Sequence, residues 1–141
     1  MTPEVRAFAL ASGSSGNCML VCVGEESLLI DAGLSAQTIL QRIRKFRVDP
    51  TSLRGILLTH EHHDHAQGAS VLARRLNIPV LANRKTLEAV TERTESLFPM
   101  QELPTGEAQE IASASVRSFP IPHNAVAPVG FTLSKIGRAH V

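Results

Sequence analysis

The chain has 141 residues, a formal net charge of +1 and 43% hydrophobic residues, the values of one soluble globular domain or a large piece of one. Near-neutral charge gives no reason to expect non-specific attraction to nucleic acid or to an anionic membrane, and the lack of Trp and Tyr leaves no visible base-stacking platform for single strands. No charged start leads into an apolar h-region and no apolar run is long enough to cross a bilayer, so neither a leader nor a membrane span is expected and the chain reads as cytoplasmic.

Val5–Leu10 is predicted as a first strand, closed by the small-residue turn Ser12-Gly13-Ser14-Ser15-Gly16-Asn17. A second apolar run, Cys18–Val23, a Gly24-Glu25-Glu26 turn and a third run, Leu28–Ile30, suggest consecutive hairpin-connected strands. Cys18 and Cys22 point to one face of the second strand but lie too far apart along it to bridge, so they read as reduced, buried small hydrophobes. Leu28, Leu29 and Ile30 are apolar without alternation, as in a strand covered on both faces.

Ser35 is placed as the N-cap of a helix whose Ile39, Leu40, Ile43 and Phe46 recur at helical spacing, and Asp49-Pro50 closes it. Ile56–Thr59 reads as a short buried strand running into a histidine-rich stretch. Helices over Ala66–Leu76 and Thr86–Thr94 flank a strand at Pro79–Ala82, and strands return at Glu110–Ile111, Val116–Phe119 and Val129–Leu133. A hairpin start followed by β-α-β steps predicts an α/β layered fold. The last six residues, Ile136-Gly137-Arg138-Ala139-His140-Val141, are what ATC GGA AGA GCA CAC GTC would encode, which resembles the read-through of a common sequencing adapter, the alternative being an ordinary polar tail. They are therefore read as a non-native tail, with residues 1–135 as the domain and His140 discounted as a ligand.

The chemistry concentrates in His60-Glu61-His62-His63-Asp64-His65, which holds four of the six histidines. Imidazole and carboxylate suit Zn²⁺, with Mn²⁺ or Fe²⁺ as alternatives. In an extended segment His60 and His62 project to one side and can grip one ion, while Asp64 and His65 can face a second; paired ions of this kind sit about 3.5–4 Å apart. A polar loop rich in histidine, or a metal-binding tract without catalysis, are the competing readings. The position of the cluster, after a buried strand and before a helix, is where α/β enzymes place chemistry. His63 and Glu61 fit no ligand position and are read as rim and spacer. The Ser12–Asn17 loop has two readings: backbone N–H groups offered to a phosphate, or a tight turn between strands.

Leu28-Leu29-Ile30-Asp31-Ala32-Gly33 followed by Leu57-Leu58-Thr59-His60-Glu61-His62-His63-Asp64-His65 resembles the metallo-β-lactamase superfamily. The Ser-Gly-Ser-Ser-Gly-Asn core of the Ser12–Asn17 loop and the stretch His123-Asn124-Ala125-Val126-Ala127-Pro128-Val129-Gly130-Phe131 narrow the likeness to the bacterial WalJ/YycJ subgroup. The resemblance implies an αββα sandwich, of which mainly the N-terminal half is present. It implies that His60, His62 and His123 hold one divalent ion and that Asp64 and His65 belong to a second, the two being Zn²⁺ or Mn²⁺. Asp31 would orient ligands by hydrogen bonding, so that catalysis rests on Asp64, His65 and Asp31. Ser14, Ser15 and Asn17 become candidate substrate contacts. The implied activity is metal-dependent hydrolysis of phosphodiesters in nucleic acid, as an exonuclease; hydrolysis of small esters, thioesters or lactones is the alternative. No membrane and no obligate protein partner are implied. The superfamily completes its second site with a bridging Asp and a final His downstream of the third histidine, but the last Asp of this chain is Asp64. The chain by itself is therefore expected to bind metal without turning over substrate.

Overall fold

The computed structural model describes residues 5–136. Residues 137–141, which carry most of the adapter-like tail and His140, lie outside them; Ile136 donates its N–H to the Ser113 carbonyl.

Six strands form one sheet in sequence order: β1 (Val5–Ala11), β2 (Cys18–Val23), β3 (Glu26–Ile30), β4 (Leu53–Leu57), β5 (Val80–Ala82) and β6 (Met100–Glu102). The first two pairings are antiparallel, as the Gly- and Ser-rich turns predicted, and β3 to β6 run parallel. Parallel neighbours require crossovers, and helices α1 (Ala36–Lys45), α2 (His63–Ala66), α3 (Ala69–Leu76) and α4 (Arg84–Glu92) supply them. A second, antiparallel sheet holds β7 (Ala108–Ile111), β8 (Ala114–Pro120) and β9 (Val129–Lys135).

The strand pattern sorts the core into two layers. Leu20, Cys22, Leu29, Ile56, Val80 and Ala82 pack under α1, α3 and α4, whereas Val21, Val23, Leu28, Leu57 and Leu81 meet Ala114 and Val116 of the second sheet. The unbroken Leu28-Leu29-Ile30 run thus serves both faces, as a central strand must. The described residues form a helix–sheet–sheet sandwich. Both cysteines are free and buried; burial, reinforced by the Asp31 carboxylate, pushes the Cys18 thiol up to about 12. No helix among the described residues is long and apolar enough to cross a membrane.

Ser35 caps α1 by accepting from the Thr38 N–H. Three details differ from the sequence expectations. The helix predicted over Ala66–Leu76 is two helices broken at Gln67-Gly68, because the Gly68 backbone packs against the turn after β3: its N–H donates to the Ala32 carbonyl, and a Cβ there would lie 2.1 Å from the Leu34 carbonyl oxygen. The strand predicted to reach Thr59 stops at Leu57, leaving Thr59 free to turn toward Asp31. Strand β6 is three exposed residues, too short and too polar to show a period.

Leu29 is fully buried beneath the helices. Leu29→Ala is expected to cost about 2–5 kcal/mol, read as a lower urea midpoint with an unchanged slope.

Candidate metal centre

The parallel strands end side by side, and their C-terminal loops build the site. Asp31 follows β3 in the left-handed region, with φ of 65°, and its N–H donates to the Leu57 carbonyl at the end of β4. The chain leaving β4 brings Thr59, His60 and His62, and α2 presents Asp64 and His65. His123 comes from the other sheet, on the loop between β8 and β9. That loop is tied down where it re-enters β9, the Val129 N–H donating 2.8 Å to the Thr59 carbonyl.

One ligand nitrogen from each of His60, His62 and His123 lies within 4.8 Å of the others. Their rings stand 4.7 to 5.4 Å apart between centroids. His60 is buried, His62 half-buried and His123 exposed, so the trio opens from the interior toward solvent. This is the donor set and the open face that a catalytic divalent ion uses.

The hydrogen bonds behind His60 decide its tautomer. The Thr59 hydroxyl lies 2.8 Å from Asp31 Oδ2 and 2.8 Å from His60 Nδ1. A carboxylate only accepts, so the single hydroxyl proton goes to Asp31, and the hydroxyl oxygen accepts from His60 Nδ1–H. The His60 proton is thereby held on Nδ1 and its Nε2 keeps a free lone pair. Nε2 is buried and has no hydrogen-bond partner. An orphaned buried nitrogen is costly, and a metal ion at the trio would satisfy it. Burial, followed by the nearby charge of His65, holds the His60 pKa below its usual value, which favours the neutral ligand form.

Asp31 also orients His65. Its Oδ2 accepts from His65 Nδ1 at 2.6 Å, which leaves His65 Nε2 facing Asp64 Oδ2 at 3.7 Å. That hydrogen bond raises the His65 pKa, against the opposing effect of burial. Asp64 and His65 thus bring two donor atoms to one spot beside the trio, where the sequence placed its second set of ligands. A carboxylate behind a histidine in this way fixes ring orientation and raises ligand basicity.

The Ser12–Asn17 loop is a turn that props the site. The Asn17 side chain closes its own loop, donating to the Gly13 carbonyl and accepting from the Gly13 N–H. The Asn17 N–H donates 2.7 Å to the Asp64 carbonyl. Gly33 lies in the same contact: its N–H donates to the Asn17 carbonyl, and a Cβ on it would stand 1.8 Å from the Asp64 carbonyl oxygen. Ser14 and Ser15 are exposed on this loop. His63 is exposed at the rim of a cavity of about 350 Å³ that Arg74, Arg93, Ser70 and Gln67 also line. One contributor escaped the sequence reading, Thr59; its signal was a hydroxyl between a buried strand and the first histidine of the cluster.

The family model described as the metallo-beta-lactamase superfamily matches residues 11–134. The chain belongs to this superfamily. It is 35% identical to the exodeoxyribonuclease YycJ of Bacillus anthracis, covering 92% of this chain and 50% of that protein. It is also 35% identical to the exodeoxyribonuclease WalJ of Streptococcus pneumoniae, covering 94% and 51%. The chain thus spans about half the length of the curated relatives it matches. Among solved structures, a B3 metallo-beta-lactamase with an active-site glutamic acid superposes with a TM-score of 0.75 at 24% identity, over 97% of this chain and 58% of that one. The superfamily fold and the histidine cluster together suit a divalent metal ion.

Two outcomes check the hydrogen-bond logic. Thr59→Val keeps the shape and removes the relay, and is expected to weaken metal binding by about 10–100-fold, measured by competition with a chromophoric chelator. In the metal-free chain, His65 should take up its proton above the ordinary value of 6.5 and His60 below it, read from histidine ring resonances across a pH titration.

Proposed function

We propose that this chain carries the metal-binding half of a metal-dependent phosphodiesterase acting on nucleic acid as an exonuclease. The observation that carries the reading is the orphaned Nε2 of His60 beside His62 and His123, in a chain 35% identical to two exodeoxyribonucleases. In this reading His60, His62 and His123 hold one ion, Zn²⁺ or Mn²⁺. Asp64 and His65 contribute to a second, and Asp31 sets the orientation of His60 and His65.

An ion held by the trio supplies Lewis acidity and brings the ionisation of water toward neutral pH. The residues of the chain do the rest. Thr59 keeps the His60 proton on Nδ1, Asp31 holds His65 with Nε2 directed outward, and Asp64 offers a carboxylate oxygen at the same place. No cysteine takes part, since Cys18 and Cys22 are buried and their thiol pKa values are raised. A phosphodiester also needs cationic and hydrogen-bonding groups for its flanking phosphates. The cavity beside His63 is lined by Arg74, Arg93 and the Ser70 hydroxyl, and also by Glu61 and Glu95, so it offers such groups within a surface of mixed charge.

Binding and turnover are separable. Metal binding belongs to this chain, with the His60, His62 and His123 site expected to take one ion tightly. Turnover requires the bridging Asp and further His with which the superfamily completes its second site, neither of which follows His123 as far as Lys135. The test uses a protein that includes those ligands, incubated with Mn²⁺ or Zn²⁺ and end-labelled duplex DNA or a thioester panel. Stepwise loss of the DNA label, abolished by His62→Ala, is expected. Turnover of thioesters alone would overturn the nuclease reading, and undiminished DNA cleavage by His62→Ala would overturn the site.

A further inference from the structure

Glu61 lies between two ligand histidines and is only 5% exposed, although its motif position asks for no particular side chain. A carboxylate is almost never buried without a partner that compensates it. Here the partner is one backbone amide far along the chain. The Val126 N–H donates 3.0 Å to Glu61 Oε2, and Val126 stands three residues beyond His123. The other oxygen, Oε1, is buried with no partner, so the Val126 amide is the contact by which the carboxyl group is held. The Glu61 backbone is fixed as well, its carbonyl accepting 2.8 Å from Arg93 Nη1 at the end of α4.

The loop that carries His123 is closed at its base by the Ile121 N–H to the Pro128 carbonyl and by the Val129 N–H to the Thr59 carbonyl, and Glu61 adds a contact farther out. His123, Asn124 and Val126 are all exposed, and among the described residues the segment packs no fully buried side chain between Ile121 and Pro128. Besides Glu61, Asn83 Nδ2 donates 2.9 Å to the Ala127 carbonyl, and the Ala125 N–H donates 3.0 Å to the His123 carbonyl within the loop. The Glu61 and Asn83 contacts fall on the consecutive residues Val126 and Ala127, and of the two only Glu61 belongs to the segment holding His60 and His62.

We infer that Glu61 is a positioning residue for the metal centre: its carboxylate grips the Val126 amide and so fixes the third ligand, His123, relative to the first two. A hydrogen bond from a backbone amide to a buried carboxylate is among the stronger ones available to a loop. Because Glu61 is covalently flanked by both other ligands, it transmits their placement to His123 without touching the ion. The inference rests on the metal-centre reading above but reaches past it, since the loop contact exists in the metal-free chain.

The test is made on this chain. Glu61→Gln retains an oxygen acceptor and should keep Zn²⁺ affinity within about threefold of the parent. Glu61→Leu keeps the bulk but removes the acceptor; it should lose about 10–100-fold in Zn²⁺ affinity, the range for ligand-supporting contacts. It should also release the Val126 amide to fast hydrogen exchange in the metal-free protein. Val126→Pro removes the donor while leaving Glu61 intact and should reproduce the affinity loss; combining it with Glu61→Leu should add nothing further. A Glu61→Leu protein with parental affinity and a still-protected Val126 amide would overturn the inference, as would full additivity of the two substitutions. If the parent binds no Zn²⁺, the metal reading fails, while amide exchange still decides whether Glu61 holds the loop.

Discussion

The site depends on one carboxylate placed where a strand stops. Asp31 takes a left-handed backbone conformation at the end of β3, which costs an L-residue on the order of 1–2 kcal/mol. What that geometry gains is a buried acceptor surrounded by donors. The Thr59 N–H and hydroxyl both reach Oδ1 or Oδ2, and His65 Nδ1 reaches Oδ2. Three segments, the turn after β3, the loop after β4 and helix α2, are thereby referred to a single charge. Hydrogen bonds to a charged group contribute roughly 1.5–3 kcal/mol each, enough to offset the backbone strain. The same bonds that cap the turn at Asp31 also fix Thr59 and the His65 ring.

The topology explains why the site forms here. Parallel strands β3, β4 and β5 finish at one edge, so the loops leaving them share a neighbourhood without long excursions. Close backbone contacts then lock those loops together. Gly33 lets Asn17 and Asp64 meet across it, and Gly68 lets the start of α3 press against the turn at Leu34. Neither contact tolerates a Cβ, so each glycine sets a distance between ligand-bearing segments. The second sheet adds the remaining ligand from outside this arrangement. Its β8–β9 loop is bonded to the first sheet's loops by Val129 to Thr59 and by Val126 to Glu61, so the centre lies on the seam between two sheets.

Much of this was legible in the residues. Leu28-Leu29-Ile30 announced a strand covered on both faces, and the two core layers divide it as expected. The histidine spacing placed His60 and His62 on one side, and a Pro-flanked loop histidine joined them across more than fifty residues of sequence. What stayed hidden were roles set by partners distant in sequence. Thr59 is an ordinary strand-end residue until Asp31 and His60 lie on either side of its hydroxyl. Glu61 is a polar spacer until the Val126 amide arrives from the other sheet. The break at Gly68 was invisible because an isolated glycine inside a helical pattern is usually tolerated; only the approach of the Leu34 carbonyl gives it a reason.

The buried His60 and the half-buried His65 are pushed in opposite directions by the same carboxylate system. His60 reaches Asp31 through a neutral hydroxyl, so burial dominates and disfavours its charged form. His65 touches Asp31 directly, so the hydrogen bond dominates and favours the charged form. The opposite shifts work against two like charges on rings whose centroids are 4.0 Å apart. The imidazoles can then cluster with His60 favoured in its neutral form. The ligands come from separate loops and from both sheets, so any ion that binds the folded chain preferentially also stabilises the seam between them.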